Sequence, residues 1–139
     1  MEKPEYRNEI ELMVRDYECD LQGVVNNANY LHYLEHARHQ WLLSLGVDFE
    51  ALHREGIDLI VVRIEIDYRS SLRSGDRFVV RSTMEREGRL RLVLRQDIYR
   101  IRDGKLVAEA RVGATGIQNG RPTLPDSVME RLQSVLTGS

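Results

Sequence analysis

Cysteine is nearly missing from this chain, with Cys19 alone among 139 residues. A single thiol closes no intramolecular disulfide, so the core must hold the fold, and a reducing cytoplasm is the expected setting. Long apolar runs are missing too. Residues 59–62 form one of the apolar stretches, and it is far too short to cross a bilayer. The opening M-E-K-P-E-Y-R-N-E-I-E alternates charge before any apolar segment can form, which is unlike a secretory leader. There are three prolines, no Gly- or Ser-rich linker, no repeat and no low-complexity segment. A single domain over 1–139 is therefore expected, burying roughly two thirds of the surface of its unfolded chain.

Lysine is scarce as well. Of 20 basic residues only Lys3 and Lys105 are lysines, so the basic chemistry is that of arginine, the better bidentate donor to phosphate and carboxylate. The net charge of -2 is unevenly spread: between Arg77 and Arg111, ten basic residues face five acidic ones, leaving the remainder acidic. A solvated sheet face is the ordinary explanation for those arginines. As a functional alternative, Arg86, Arg89 and Arg91 flank the Gly88 turn where they could bind the phosphates of coenzyme A. Nucleic acid is not an expected partner, because the overall charge is negative and no exposed aromatic platform accompanies the strand arginines.

Periodicity then assigns the elements. Ile10, Leu12 and Val14 alternate with Glu11, Met13 and Arg15, predicting a first strand over 7–17. From Asn27 to Leu45 the period is helical, with Tyr30, Tyr33, Leu34, Ala37, Trp41 and Leu45 on one arc and Gly46 as the stop. A short helix over 49–54 follows. Four strands are predicted over 57–72, 76–87, 89–102 and 105–118, with Asp103-Gly104 read as a two-residue hairpin and Asn119-Gly120 closing the last strand. Asp126 or Ser127 should cap a last helix reaching Leu136. In the third of these strands Leu90, Leu92 and Leu94 should face the helix while Arg89, Arg91 and Arg95 face outward. The result is an α+β fold with one long helix packed on an antiparallel sheet.

The chemistry is concentrated in D-L-Q-G-V-V-N-N-A-N-Y-L-H-Y-L-E-H-A-R, residues 20–38. Asp20 and Gly23 form a polar bend, and Asn26 or Asn27 caps the helix. A carboxylate thus sits beside free N–H groups and the positive end of a helix dipole, which suits a developing oxyanion as well as a resting anion. Each candidate has a plainer reading. An aspartate before a helix is commonly a turn residue, Glu35 at the edge of the apolar arc is commonly a salt-bridge partner, and Cys19 has no histidine tied to it by sequence. H-Y-L-E-H, residues 32–36, matches the H-x-x-E-H pattern of one class of zinc proteases, but His32, His36 and His39 fall opposite the apolar arc, so no metal site is assigned. Arg38 is the anomaly. It falls among Leu31, Leu34 and Leu45, where a buried or interfacial ion pair is the expected explanation.

The helix entry D-x-x-G-V-V-N-N-A-N-Y-L-x-Y-L-E-x-A-R and the later I-D-Y-R-S-S-L-R-S-G-D, residues 66–76, resemble the hotdog-fold acyl-CoA thioesterases of the 4-hydroxybenzoyl-CoA thioesterase type. The likeness covers nearly the whole chain. It implies a five-stranded antiparallel sheet wrapped around one long central helix, with a short C-terminal helix and protomers paired, as a homodimer or homotetramer, so that sites lie at the subunit interface. It also implies hydrolysis of an acyl-CoA or acyl-carrier-protein thioester with no cofactor or metal. The catalytic aspartate falls on Asp20, the oxyanion N–H on Asn27 and the tight turn on Gly23. Tyr17, Val24, Val25, Asn26 and Tyr30 are the residues expected to line the acyl entrance. The long-chain branch that shares the Asn-Asn pair usually has histidine where Gly23 stands. A non-catalytic acyl-CoA-binding module is the alternative from another class, and a hydratase would want a histidine near this bend, where the nearest, His32, points away.

Overall fold

A computed structural model describes residues 5–137; residues 1–4, part of the opening read above for its charge alternation, lie outside it. The alternation at the N-terminus yields β1 (Asn8–Met13), in which Ile10 and Leu12 pack against the core while Glu9 and Glu11 are exposed. The strand is shorter than the predicted 7–17. After Met13 the chain leaves the sheet and closes a 3-10 turn, Asp16–Glu18, in which the Arg15 N–H donates to Glu18 Oε1 at 2.7 Å instead of to a neighbouring strand.

The long helix α1 (Asn27–Ser44) buries Tyr30, Tyr33, Leu34, Ala37 and Trp41, as its periodicity predicts, and buries Arg38 and Leu42 as well. Leu45 is only half-buried. Gly46 follows at φ 86°, a left-handed conformation that ends the helix at little steric cost. The short α2 (Phe49–Arg54) is capped by the Asp48 carboxylate, which accepts from the N–H groups of Glu50 and Ala51.

Strands β2 (Ile57–Tyr68), β3 (Arg77–Glu87), β4 (Arg91–Arg100) and β5 (Leu106–Gln118) join β1 in an antiparallel sheet of order β1-β3-β4-β5-β2. This order leaves β1 and β2 at the edges. Two short strands extend the predicted five: β6 (Arg121–Thr123) pairs with β5, and β7 (Leu136–Thr137) runs parallel to β3. The last helix, α3 (Asp126–Leu132), accordingly stops before the predicted Leu136, because Leu136 and Thr137 are drawn into pairing with Met84 and Glu85. Pro125 takes its N-cap position, and Asp126 is already helical.

Two turn predictions part company. Asn119 (φ 52°) and Gly120 (φ 75°) join β5 to β6 with Gln118 paired to Arg121, the two-residue geometry expected of Asn-Gly. Asp103-Gly104 does not form such a hairpin; residues 101–105 make a longer connection, because the Asp103 carboxylate turns back to hold the Arg100 guanidinium at 2.8 Å. That contact keeps Asp103 well below the usual carboxylate range, at about 2.

The core lies between α1 and one face of the sheet. Tyr30, Tyr33 and Leu34 meet Phe78, Val80 and Ile98 toward one end, and Trp41 and Leu42 meet Met84, Leu92 and Leu94 toward the other. The predicted division of β4 into leucine and arginine faces needs correction. Leu90 lies in the turn before the strand, 49% exposed, and Val93 on the opposite face is buried. The basic stretch is also less free than its composition suggests, since Arg81, Arg95, Arg100, Arg102 and Arg111 all pair with carboxylates.

Gly116 on β5 allows β6 to approach. A Cβ there would stand 2.3 Å from the Thr123 carbonyl oxygen, a backbone atom that cannot rotate away. Gly116→Ala should therefore cost about 1–3 kcal/mol and lower the melting temperature by several degrees. An unchanged melting curve in a scanning calorimeter would contradict that packing.

Candidate active site

The bend before α1 is built from its own backbone. The Asp20 N–H donates to the Val24 carbonyl at 2.8 Å, and the Gly23 N–H donates to the Asp20 carbonyl at 3.0 Å. Gly23 supplies the required positive φ of 79°. The Asp20 carboxylate joins in through one oxygen only: Oδ1 accepts from the Gln22 N–H at 2.8 Å and the Val24 N–H at 3.4 Å. Oδ2 has no hydrogen-bond partner among the described residues. Asp20 is thus the turn residue of the plainer reading, and it also offers an exposed, fixed carboxylate oxygen.

Neighbouring strand-like contacts hold the bend against the body. Cys19 pairs with Val25 and Val24 with Arg73, while the Val25 N–H donates to the Leu72 carbonyl at 2.9 Å. Val25 is buried and Val24 half-buried, so these residues anchor the bend on the core. Asn26 then caps the helix. Its Oδ1 accepts from the Ala28 N–H at 2.8 Å, and its backbone is extended at φ -77° and ψ 150°. Asn27 is the first helical residue, and its N–H is one of the donors that a helix leaves unpaired at its start. Among the described residues nothing accepts it.

The remaining predicted site residues are distributed more widely. Tyr17 is exposed on the 3-10 turn, where its hydroxyl accepts from Arg15 Nη1 at 2.7 Å. Tyr30 is buried behind the bend, and its hydroxyl accepts from the Leu72 N–H at 2.9 Å. It fixes the Leu72–Arg73 backbone from the core side. Arg86, Arg89 and Arg91 surround the Gly88 turn, where Arg86 donates to the carbonyls of Gly88 and Arg89. That turn is at the far end of β3, which is about 33 Å long at the usual strand rise, whereas the Asp20 bend packs against Arg73 before the strand begins, so one protomer does not bring the two together.

Arg73 stands within the 66–76 motif, where no role falls to it from sequence. The nearest atom to a Cβ built on Gly23 is Arg73 Nη1, at 4.0 Å, so a cation fills space beside the position that carries histidine in the long-chain branch. Nothing in the sequence ties Arg73 to Gly23, because the bend and the loop after β2 meet only in the fold. His32 and His36 are exposed, and His39 stacks on Phe49 with ring centroids 4.6 Å apart. Within the chain, the partner of Arg38 among the described residues is the amide of Gln96, at 3.1 Å, rather than a carboxylate.

A family model described as the thioesterase-like superfamily matches residues 14–132, which include the bend, all of α1 and the four long strands. The chain belongs to the thioesterase-like superfamily. As a member, it is 36% identical over 126 residues to the acyl-acyl carrier protein thioesterase ATL3, chloroplastic, of Arabidopsis thaliana, an alignment covering 89% of this chain and 66% of the plant protein. It therefore spans a little under two thirds of that relative's length. It is 32% identical to the long-chain acyl-CoA thioesterase FadM of Escherichia coli over 72% of this chain and 75% of that one. Among solved structures, Slr0204, a 1,4-dihydroxy-2-naphthoyl-CoA thioesterase from Synechocystis, superposes with a TM-score of 0.84 at 23% identity, covering 94% of this chain and 95% of that one. That likeness establishes the hotdog fold.

Proposed function

We propose that the protein hydrolyses an acyl thioester of coenzyme A or an acyl carrier protein to the free acid and thiol. The observation that carries this reading is the pairing of an exposed Asp20 carboxylate oxygen with the unaccepted N–H of Asn27 at the start of α1. The N–H polarises the thioester carbonyl and receives the negative charge that grows on its oxygen. Asp20 either takes a proton from the attacking water or attacks the carbonyl carbon itself. The C–S bond then breaks, and the thiolate takes up a proton as it leaves; on the second route water then hydrolyses the mixed anhydride, which releases the free acid and restores the Asp20 carboxylate. Gly23 keeps the bend tight, and Val24, Asn26 and Tyr17 border the entrance, with Val25 and Tyr30 supporting it from behind. The test is thiol release from a panel of acyl-CoA and acyl-carrier-protein thioesters; binding without turnover across the panel would favour a non-catalytic acyl-CoA-binding module.

The reading includes a second copy of the chain. Edge strand β2 exposes Ile60, Val61, Val62, Ile64 and Tyr68, each by 38–44%. An apolar, unpaired edge of this length is a template for strand addition, and pairing two such edges about a twofold axis yields a homodimer with a continuous sheet. A partner placed this way also turns its own Gly88 end toward the first protomer's bend, which is how Arg86, Arg89 and Arg91 could reach a bound coenzyme A. Placing lysine at both Val62 and Ile64 should convert a particle of twice the 16.2 kDa chain mass into one of the chain mass, as read by light scattering. A wild-type protein already monomeric at working concentration would refute the pairing. A cytoplasmic setting fits the single thiol, and among the described residues no helix is long and apolar enough to cross a membrane.

A further inference from the structure

The loop after β2 sets a cation beside the bend, and the hydrolytic steps above leave it without a task. Arg73 Nη1 is 4.0 Å from where a Cβ on Gly23 would stand. Gly23 closes a four-residue turn with Asp20, its N–H donating to the Asp20 carbonyl at 3.0 Å, and the ends of such a turn lie within about 7 Å of each other at Cα. The guanidinium and the Asp20 carboxylate therefore border one small region, yet they do not form an ion pair. Among the described residues the Arg73 side chain has no ion-pair or hydrogen-bond partner. Nearby acids are engaged elsewhere: Asp76 accepts from the Arg73 N–H at 2.9 Å and pairs with Arg102 at 3.5 Å, and Asp16 accepts from Ser74 Oγ. The root of the side chain is fixed. Arg73 and Val24 form an antiparallel bridge, the Leu72 carbonyl accepts from the Val25 N–H, and the Tyr30 hydroxyl accepts from the Leu72 N–H. An exposed guanidinium held in this way presents its five N–H donors to whatever occupies the bend.

Hydrolysis creates a charge there that the thioester does not carry. The acyl carbonyl and the oxygen of water end as a carboxylate at neutral pH, with one proton on the sulfur and the other in solvent. The bend then holds two carboxylates, Asp20 and the acid, where it began with one. Such a pair repels, and a cation beside it offsets the repulsion. The Asn27 N–H carries no net charge with which to do so.

We propose that Arg73 receives the carboxylate that the reaction produces, binding the charge that appears as the thioester is cleaved and contributing little to binding of the neutral thioester. This rests on the thioesterase reading above. The phosphates of coenzyme A are the poorer match, because the pantetheine arm sets them well away from the thioester, whereas Arg73 borders the turn that carries Asp20.

The test measures octanoate, laurate and benzoate, each beside its primary amide, by calorimetry on the wild-type protein, Arg73→Met and Arg73→Lys. The wild type should bind at least one carboxylate about tenfold tighter than its amide, between the gain of an exposed ion pair and that of a charge-assisted hydrogen bond. Arg73→Met should abolish that ratio, and Arg73→Lys should retain part of it. Asp20→Asn should bind the acid more tightly than the wild type, because the opposing charge is gone. With the best thioester of the panel, Arg73→Met should lose about tenfold in kcat, with KM, inhibition by the released thiol and the melting temperature unchanged. Equal affinity of the wild type for acids and amides would overturn the proposal, as would a carboxylate preference that survives Arg73→Met. So would a loss in that variant that falls on KM and on inhibition by the thiol, which would assign Arg73 to the carrier half of the substrate. A loss shared by every ligand together with a lowered melting temperature would also overturn it and make Arg73 a strut of the bend. An Arg73-dependent preference for carboxylates without turnover of any thioester would support the assignment and refute hydrolysis, which separates the two readings.

Discussion

Asp20→Asn should lower kcat for thiol release by about a thousandfold, within the range that a positioned base or nucleophile supplies, while leaving the melting temperature nearly unchanged. The separation follows from the two oxygens of one carboxylate. Oδ1 holds the bend by accepting from Gln22 and Val24, and an asparagine presents an equivalent oxygen there. Oδ2 has no hydrogen-bond partner among the described residues, and its replacement by an amide removes the proton acceptor without disturbing a contact there. Asp20→Ala makes the contrast useful. It removes the turn acceptor as well, so it should lose activity to a similar degree and also cost about 1 kcal/mol of stability. Full activity in Asp20→Asn, measured with the best thioester of the panel, would place the chemistry elsewhere, and Glu35 would be the next acid to test.

What the sequence made legible is what lies close together along the chain. The 3.6-residue period of α1, the stop at Gly46 and the cap at Asn26 are local facts with local causes, and the structure places them at or within a residue of the predicted positions. The same holds for Asn119-Gly120, where both residues accept positive φ. Asp103-Gly104 carried an equally clear local signal and behaved otherwise, because its carboxylate found Arg100 three residues back and the loop closed around that pair. Strand β7 was unreadable: two residues cannot announce a pairing with Met84 and Glu85 some fifty positions earlier. Arg38 shows the boundary most clearly. The helical wheel placed it on the apolar side, but its partner, Gln96, sits 58 positions away in β4, and an amide carries no charge to suggest the match. Arg73 beside Gly23 is the same case inside the site.

The oxyanion contact can be tested by proline, although it belongs to the backbone and no ordinary side-chain exchange removes it. Asn27→Pro should fold normally and lose about a hundred- to a thousandfold in kcat, the usual consequence of deleting one oxyanion donor. Asn27 is the first residue of α1, where proline is favoured because its missing N–H would go unpaired in any case and its fixed φ already suits the helix. Proline also constrains the residue before it to extended backbone. Asn26 is already there, at φ -77° and ψ 150°. Its cap hydrogen bond goes to Ala28 rather than to Asn27, so the substitution leaves that bond in place. The deleted atom is therefore one that the folded chain does not use for its own structure, and circular dichroism and the melting curve should match the wild type. A rate close to wild type in a correctly folded Asn27→Pro protein would remove the helix N-terminus from the mechanism. A large loss with an unchanged fold, alongside the loss in Asp20→Asn, would place both halves of the reaction within the bend that opens α1.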